Sequence, residues 1–210
     1  SYGITFNDIG TKMYIVGFNF SGAAAFRGDH IVEYRLDPAY DISSKVVVHR
    51  LKTNGTTSAT NTVTSDIATR PHDIRFNDDG TRMYLPMLNQ SIKTFSLSTA
   101  YDLSTASLIH TLSTPSNSST NEPSIEFNTN GTKVFIEDGD EIDEYDVATA
   151  FDLSSTLTYV DSLSFSFTAT SMAFSDDGTV LFVLTQDDND KSIYEYNLTT
   201  GFDLSTATYV

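Results

Sequence analysis

The chain has 210 residues, of which 28 are acidic and 12 basic, for a formal net charge of −16. Such a field repels phosphate backbones and anionic lipid, which argues against nucleic acid and membrane as partners, and no apolar run reaches the roughly 20 residues of a membrane helix. Cysteine is absent, which removes disulfide and thiolate chemistry, while 39% hydrophobic and 12% aromatic residues suffice for a buried core.

The elements repeat in one order. Gly3-Ile4-Thr5-Phe6 alternates with period two, the mark of a half-buried strand. Asn7-Asp8-Ile9-Gly10-Thr11 then supplies hairpin chemistry: Asn or Asp bonds the turn backbone, and Gly takes the left-handed φ. A second strand begins at Lys12-Met13-Tyr14 and a third at Ile31-Val32-Glu33-Tyr34. The connection Ala39-Tyr40-Asp41-Ile42-Ser43 leads to an apolar fourth strand at Val46-Val47-Val48.

The series returns three more times. Its inner strands are Asp73-Ile74-Arg75-Phe76, Ser124-Ile125-Glu126-Phe127 and Ser171-Met172-Ala173-Phe174, with turns at Gly80, Gly131 and Gly178. The third strands are Ile92-Lys93-Thr94-Phe95, Ile142-Asp143-Glu144-Tyr145 and Ile193-Tyr194-Glu195-Tyr196. The connections are Tyr101-Asp102-Leu103-Ser104, Phe151-Asp152-Leu153-Ser154 and Phe202-Asp203-Leu204-Ser205. The strictly recurring Asp is expected to accept backbone N–H groups of the following turn. Ile4, Phe6, Tyr14, Ile31, Ile74, Phe76, Tyr84, Ile92, Ile125, Phe127, Phe135, Ile142, Phe174, Phe182 and Ile193 are the expected core.

Four short antiparallel strands per repeat and no helical periodicity predict an all-β fold, a β-propeller of four-stranded antiparallel blades. The chain supplies four blades, about residues 1–52, 70–113, 122–165 and 169–210, in one domain spanning 1–210. They form either a complete ring or part, such as half, of a larger one. The fourfold Phe-x-x-Asp/Asn-Gly-Thr-x-x-Phe/Tyr hairpin resembles the blades of YVTN/lactonase-like and NHL-type propellers. That resemblance implies the fold and leaves the activity open, because such folds host unrelated functions.

One set of connections is nearly constant and the other irregular, and irregular loops on a rigid scaffold are where binding is expected. Candidate ligand-binding residues are Tyr2, at the start of the first inner strand; Arg27, in the irregular Phe18–Asp29 loop; and His72, Arg75 and Glu126 on inner strands. Asp187, Asp188 and Asp190 are the candidate metal ligands, oxygen donors suited to calcium although the spacing is not that of a D-x-D-x-D-G loop. No other cofactor is implied. Glu137-Asp138-Gly139-Asp140-Glu141 reads as a solvated turn.

No G-x-S-x-G, H-E-x-x-H or P-loop is present. The leading expectation is therefore a non-enzymatic binding or structural module of a secreted, cell-surface or virion protein. It would take glycan or protein on its irregular face, with a homodimer or further blades completing the ring. The alternative is a lactonase-like hydrolytic propeller with a metal in its channel, using His72, Asp73, Glu122 and Glu126.

Overall fold

A computed structural model describes residues 3–17, 30–52, 71–87, 90–114, 123–185 and 192–210. Among them the fold is all-β, with helix confined to single 3-10 turns. The first blade comprises β1 (Gly3–Phe6), β2 (Lys12–Gly17), β3 (His30–Arg35) and β4 (Val46–Lys52). The second comprises β5 (Arg75–Phe76), β6 (Arg82–Met87), β7 (Ser91–Leu97) and β8 (Ala106–Ser113). The third comprises β9 (Ser124–Phe127), β10 (Lys133–Glu137), β11 (Glu141–Val147) and β12 (Leu157–Ser164). The fourth comprises β13 (Ala169–Phe174), β14 (Val180–Thr185), β15 (Ile193–Leu198) and β16 (Ala207–Tyr209). Each blade is an antiparallel sheet with its strands in chain order. The chain divides into two compact units of two blades each, Ser1–Thr111 and Leu112–Val210.

The turn chemistry explains why each blade forms. Gly10, Gly80 and Gly131 hold φ at 68° and Gly178 at 71°, as the hairpins require. The following connection folds back onto that glycine. Tyr40, Tyr101, Phe151 and Phe202 donate their N–H groups to the carbonyls of Gly10, Gly80, Gly131 and Gly178 at 2.8–3.0 Å. Each aromatic ring covers its glycine so closely that a Cβ there would overlap it. The four aromatics themselves stand at φ 58–60°, a left-handed conformation costing non-glycine residues about 1–2 kcal/mol. The backbone bond and ring packing offset that cost. The recurring Asp behaves as its position suggests: Asp41, Asp102, Asp152 and Asp203 accept from the N–H groups of Ser43, Ser104, Ser154 and Ser205 at 2.9–3.1 Å.

Each unit has its own core. In the first, Tyr14, Val16 and Ile31 of one blade pack with Ile74, Met83, Leu85, Phe95 and Leu103 of the next. In the second, Phe135 and Ile142 pack with Ala169, Met172, Leu181, Val183 and Leu204. Tyr14 and Phe76 rings lie 4.7 Å apart, and Phe135 and Phe174 rings 4.6 Å apart, so the two junctions share one geometry. Phe6, Phe76, Phe127 and Phe174 are half-buried, and Ile4, Phe182 and Ile193 are exposed rather than core. Within the units, Ile74, Phe135 and Ile142, the counterparts of Ile4, Phe182 and Ile193, are buried against the adjacent blade.

Candidate functional site

The inner strand of the second blade begins with a polar cluster. His72 is buried and fixed by its backbone N–H, which donates to the Pro86 carbonyl at 2.8 Å. Asp73 is 6% exposed; its Oδ1 accepts from the Ile74 N–H at 2.8 Å and from Nη1 of Arg75 at 3.0 Å. The same Nη1 donates to the Ile74 carbonyl at 3.2 Å, so the guanidinium is clamped across its own strand. Oδ2 of Asp73 is buried and has no hydrogen-bond partner among the described residues. Gly3, at the matching place on β1, lies against this carboxylate. A Cβ there would stand 2.5 Å from Oδ1 and 3.0 Å from the Asp73 Cα, so the absence of a side chain at residue 3 lets the two inner strands approach.

Of the expected site residues, Arg75 is tied to Asp73 through its guanidinium, while His72 precedes Asp73 in the chain and is held by its backbone. Glu126 sits on β9 in the other unit, half-buried and opposite Phe135. Near it Ser124 Oγ donates to Glu137 Oε2 at 3.1 Å, and the Gly139 N–H donates to Oε1 at 2.6 Å. Glu137 is fully buried and Asp138 nearly so. The acidic run from Glu137 is thus no solvated turn: its first carboxylate is consumed in closing the β10–β11 hairpin, with Gly139 at φ 89°. Tyr2, Arg27, Glu122, Asp187, Asp188 and Asp190 lie outside the described residues.

A second cluster escaped the sequence reading. Glu33, on β3, is fully buried and accepts from the Leu103 N–H of the next blade at 3.1 Å. Lys12 Nζ stands 2.8 Å from its Oε1 and His49 Nδ1 3.2 Å from its Oε2. Tyr14 Oη and Lys12 Nζ also donate to the Tyr101 carbonyl, at 2.5 and 2.7 Å. Burial, then the Glu33 charge, pushes the Tyr14 hydroxyl well above its usual pKa, so it stays a donor. The second unit repeats the arrangement: Glu144 accepts from the Leu204 N–H at 2.9 Å and pairs with Lys133. The recurring Ile-x-Glu-Tyr of the third strand was the available signal.

A channel metal, which the lactonase-like alternative implies, is not supported by the described residues. The His, Asp and Glu side chains that converge among them are Glu33, His49 and Asp102, with donor atoms within 4.8 Å of one another. They stand on β3, β4 and the turn before Leu103, away from the inner strands. The Lys12 ammonium against Glu33 repels a cation, and Glu144 with Lys133 serves the same latch without a histidine.

No protein-family model matches the chain, and no curated protein matches it. Solved structures do. A periplasmic gluconolactonase from Pseudomonas aeruginosa superposes with TM-score 0.62 at 14% identity, over 99% of this chain and 70% of its own. A Bacteroides uniformis protein described as a candidate 6-phosphogluconolactonase gives 0.58 at 17%, over 100% and 52%. The fold is a β-propeller. The same fold appears in hydrazine synthase from Kuenenia stuttgartiensis, with TM-score 0.54 at 15% identity over 93% of this chain and 45% of that one. The likeness fixes architecture and not activity, and the chain spans about half the length of the Bacteroides protein.

Proposed function

We propose that this propeller is lactonase-like in activity as well as fold, taking a small polyhydroxylated lactone at the inner-strand cluster of the second blade. The observation that carries the reading is Oδ2 of Asp73, a buried carboxylate oxygen without a hydrogen-bond partner, on a carboxylate that a clamped guanidinium also holds. A buried acceptor left unpaired costs about 1–3 kcal/mol, and a sugar-type hydroxyl or a polarised water would satisfy it. The similar gluconolactonase structure names the substrate class to try first.

In such a reaction the chain would work without a resident metal. Asp73 Oδ2 would take a proton from a water attacking the lactone carbonyl. The Arg75 charge would stabilise the oxyanion as the new C–O bond forms. The ring C–O bond would then break, and the leaving oxygen would receive a proton through His72, giving the open hydroxy acid. The test is titration of acid release from glucono-1,5-lactone, with and without a chelator, against the spontaneous rate. Protein-dependent release unaffected by the chelator supports the reading. Release at the spontaneous rate, with gluconate or lactone still binding, would return the chain to the non-enzymatic glycan-binding reading.

A further inference from the structure

The head of the inner strand differs from blade to blade. In chain order the four repeats carry Gly3, Asp73, Ser124 and Ser171 there, each one residue before the first apolar side chain of that strand. Gly3 pairs with Val16 and Ser124 with Glu137, so the two occupy one register. A strand at this place accepts a side chain: Ser124 is buried and its Oγ donates to Glu137. Glycine in a strand packs nothing and loses more chain entropy on folding than any other residue, so it marks a place where something must come close. The blade itself does not ask for glycine at residue 3.

What comes close is Asp73. Val16, opposite Gly3, and Ile74, next to Asp73, belong to one buried core, which presses the heads of these two inner strands together. A Cβ on residue 3 would stand 2.5 Å from Oδ1 of Asp73 and 3.0 Å from its Cα. Neither atom has room to retreat. The Cα lies between His72, whose N–H is bonded to the Pro86 carbonyl, and Ile74, whose side chain is fully buried. Oδ1 is held by the Ile74 N–H at 2.8 Å and by Nη1 of Arg75 at 3.0 Å. Pushing Oδ1 aside would break both hydrogen bonds and turn the carboxylate, which swings Oδ2 out of its place.

We infer that Gly3 is a positioning residue of the inner-strand site: its bare Cα seats Oδ1 of Asp73 and so aims Oδ2. The inference rests on the reading of Asp73 as the group that takes the proton from the attacking water. The site is then shared by two blades, the second supplying the carboxylate and the first its seat. In the second unit the matching residues are Ser124 and Ser171, so a side chain stands at the seat where the facing blade carries no carboxylate. A base displaced by about 1 Å loses rate through geometry rather than through substrate affinity.

The test pairs kinetics with a stability cycle. Gly3→Ala is compared with the parent chain on glucono-1,5-lactone, at a temperature where circular dichroism shows both fully folded. The expected result is a kcat lowered at least about tenfold with KM changed less than about twofold. A loss confined to KM, or a kcat equal to the parent's, would overturn the inference. Separately, Gly3→Ser, Asp73→Ser and the double variant, which recreates the Ser124 and Ser171 pair, are unfolded in urea. Gly3→Ser should lower the midpoint of the parent, and lower it clearly less beside Asp73→Ser. Equal shifts in the two backgrounds would overturn the seat. That cycle needs no substrate. Lactone opened only at the spontaneous rate by the parent chain would sink the lactonase reading, while the cycle still decides whether Gly3 seats Asp73.

Discussion

The glycine-under-aromatic motif makes a quantitative test of the local reasoning. Gly80→Ala places a Cβ at φ 68°, where a left-handed conformation costs about 1–2 kcal/mol. That Cβ also overlaps the Tyr101 ring, which must swing away. Swinging it forfeits the tilted contact with Phe76, whose ring lies 5.2 Å away and whose packing is worth about 0.5–1.5 kcal/mol. The Tyr101 carbonyl, which holds Lys12 and Tyr14 of the neighbouring blade, moves with it. Together these give a loss of about 2–3 kcal/mol, read from the urea midpoint by far-UV circular dichroism. Tyr101→Ala removes the obstacle, so the double variant should cost about 1 kcal/mol less than the sum of the singles. A cost for Gly80→Ala below about 0.5 kcal/mol, or strict additivity with Tyr101→Ala, would refute the argument.

Other outcomes follow from the same structure. Phe135→Ala, at a fully buried ring packed on Phe174, should lower stability by about 3–5 kcal/mol, measured by the same unfolding curve. Glu144→Gln should cost about 1.5–3 kcal/mol through the weakened bond to the Leu204 N–H, and a midpoint unchanged from the parent would show the latch to be idle. Acid should weaken the fold through the turn carboxylates. The Ser175 hydroxyl, then the Thr179 N–H and hydroxyl, hold Asp177 down to about 2; the Ser43 hydroxyl lowers Asp41 and the Thr81 hydroxyl lowers Asp79. Folded values below unfolded ones mean stability that is present above about pH 4 and is lost as pH falls toward about 2. Urea midpoints between about pH 6 and pH 2 should show that fall, and Asp177→Asn should flatten part of it.

Much of the blade was legible because its causes are local. Period-two alternation set the strand faces, and Asn-Asp-x-Gly chemistry located Gly10, Gly80, Gly131 and Gly178. The side-chain reach of Asp41 and its counterparts gave the cap. Three features were not legible, each for a physical reason. Ile142 and Ile193 stand in the same Ile-x-Glu-Tyr sequence, yet one is buried and the other bare, because junction burial depends on the next blade and not on the residue. The left-handed φ of Tyr40, Tyr101, Phe151 and Phe202 contradicts aromatic preference and is held by a distant glycine carbonyl. Glu33 and Glu144 are buried by the turn of the next blade, which lies far along the chain, so only their recurrence two residues after a buried Ile marked them. At the site, His72 and Arg75 stood out as polar residues on an inner strand. The role of Asp73 depends on which of its oxygens the fold leaves unpaired, which only coordinates reveal.

The most direct test of the central claim is a comparison of lactone hydrolysis between two sets of variants. His72→Gln, Asp73→Asn and Arg75→Met disturb the inner-strand cluster, whereas Asp41→Asn and Asp152→Asn disturb the repeated turns. The account predicts that kcat/KM for glucono-1,5-lactone falls at least about tenfold, about 1.4 kcal/mol of transition-state stabilisation, in each of the first three with melting preserved. The turn variants should keep the parent rate. Hydrolysis that survives all three inner-strand substitutions, or that is lost in the turn variants while the fold stays intact, would contradict it.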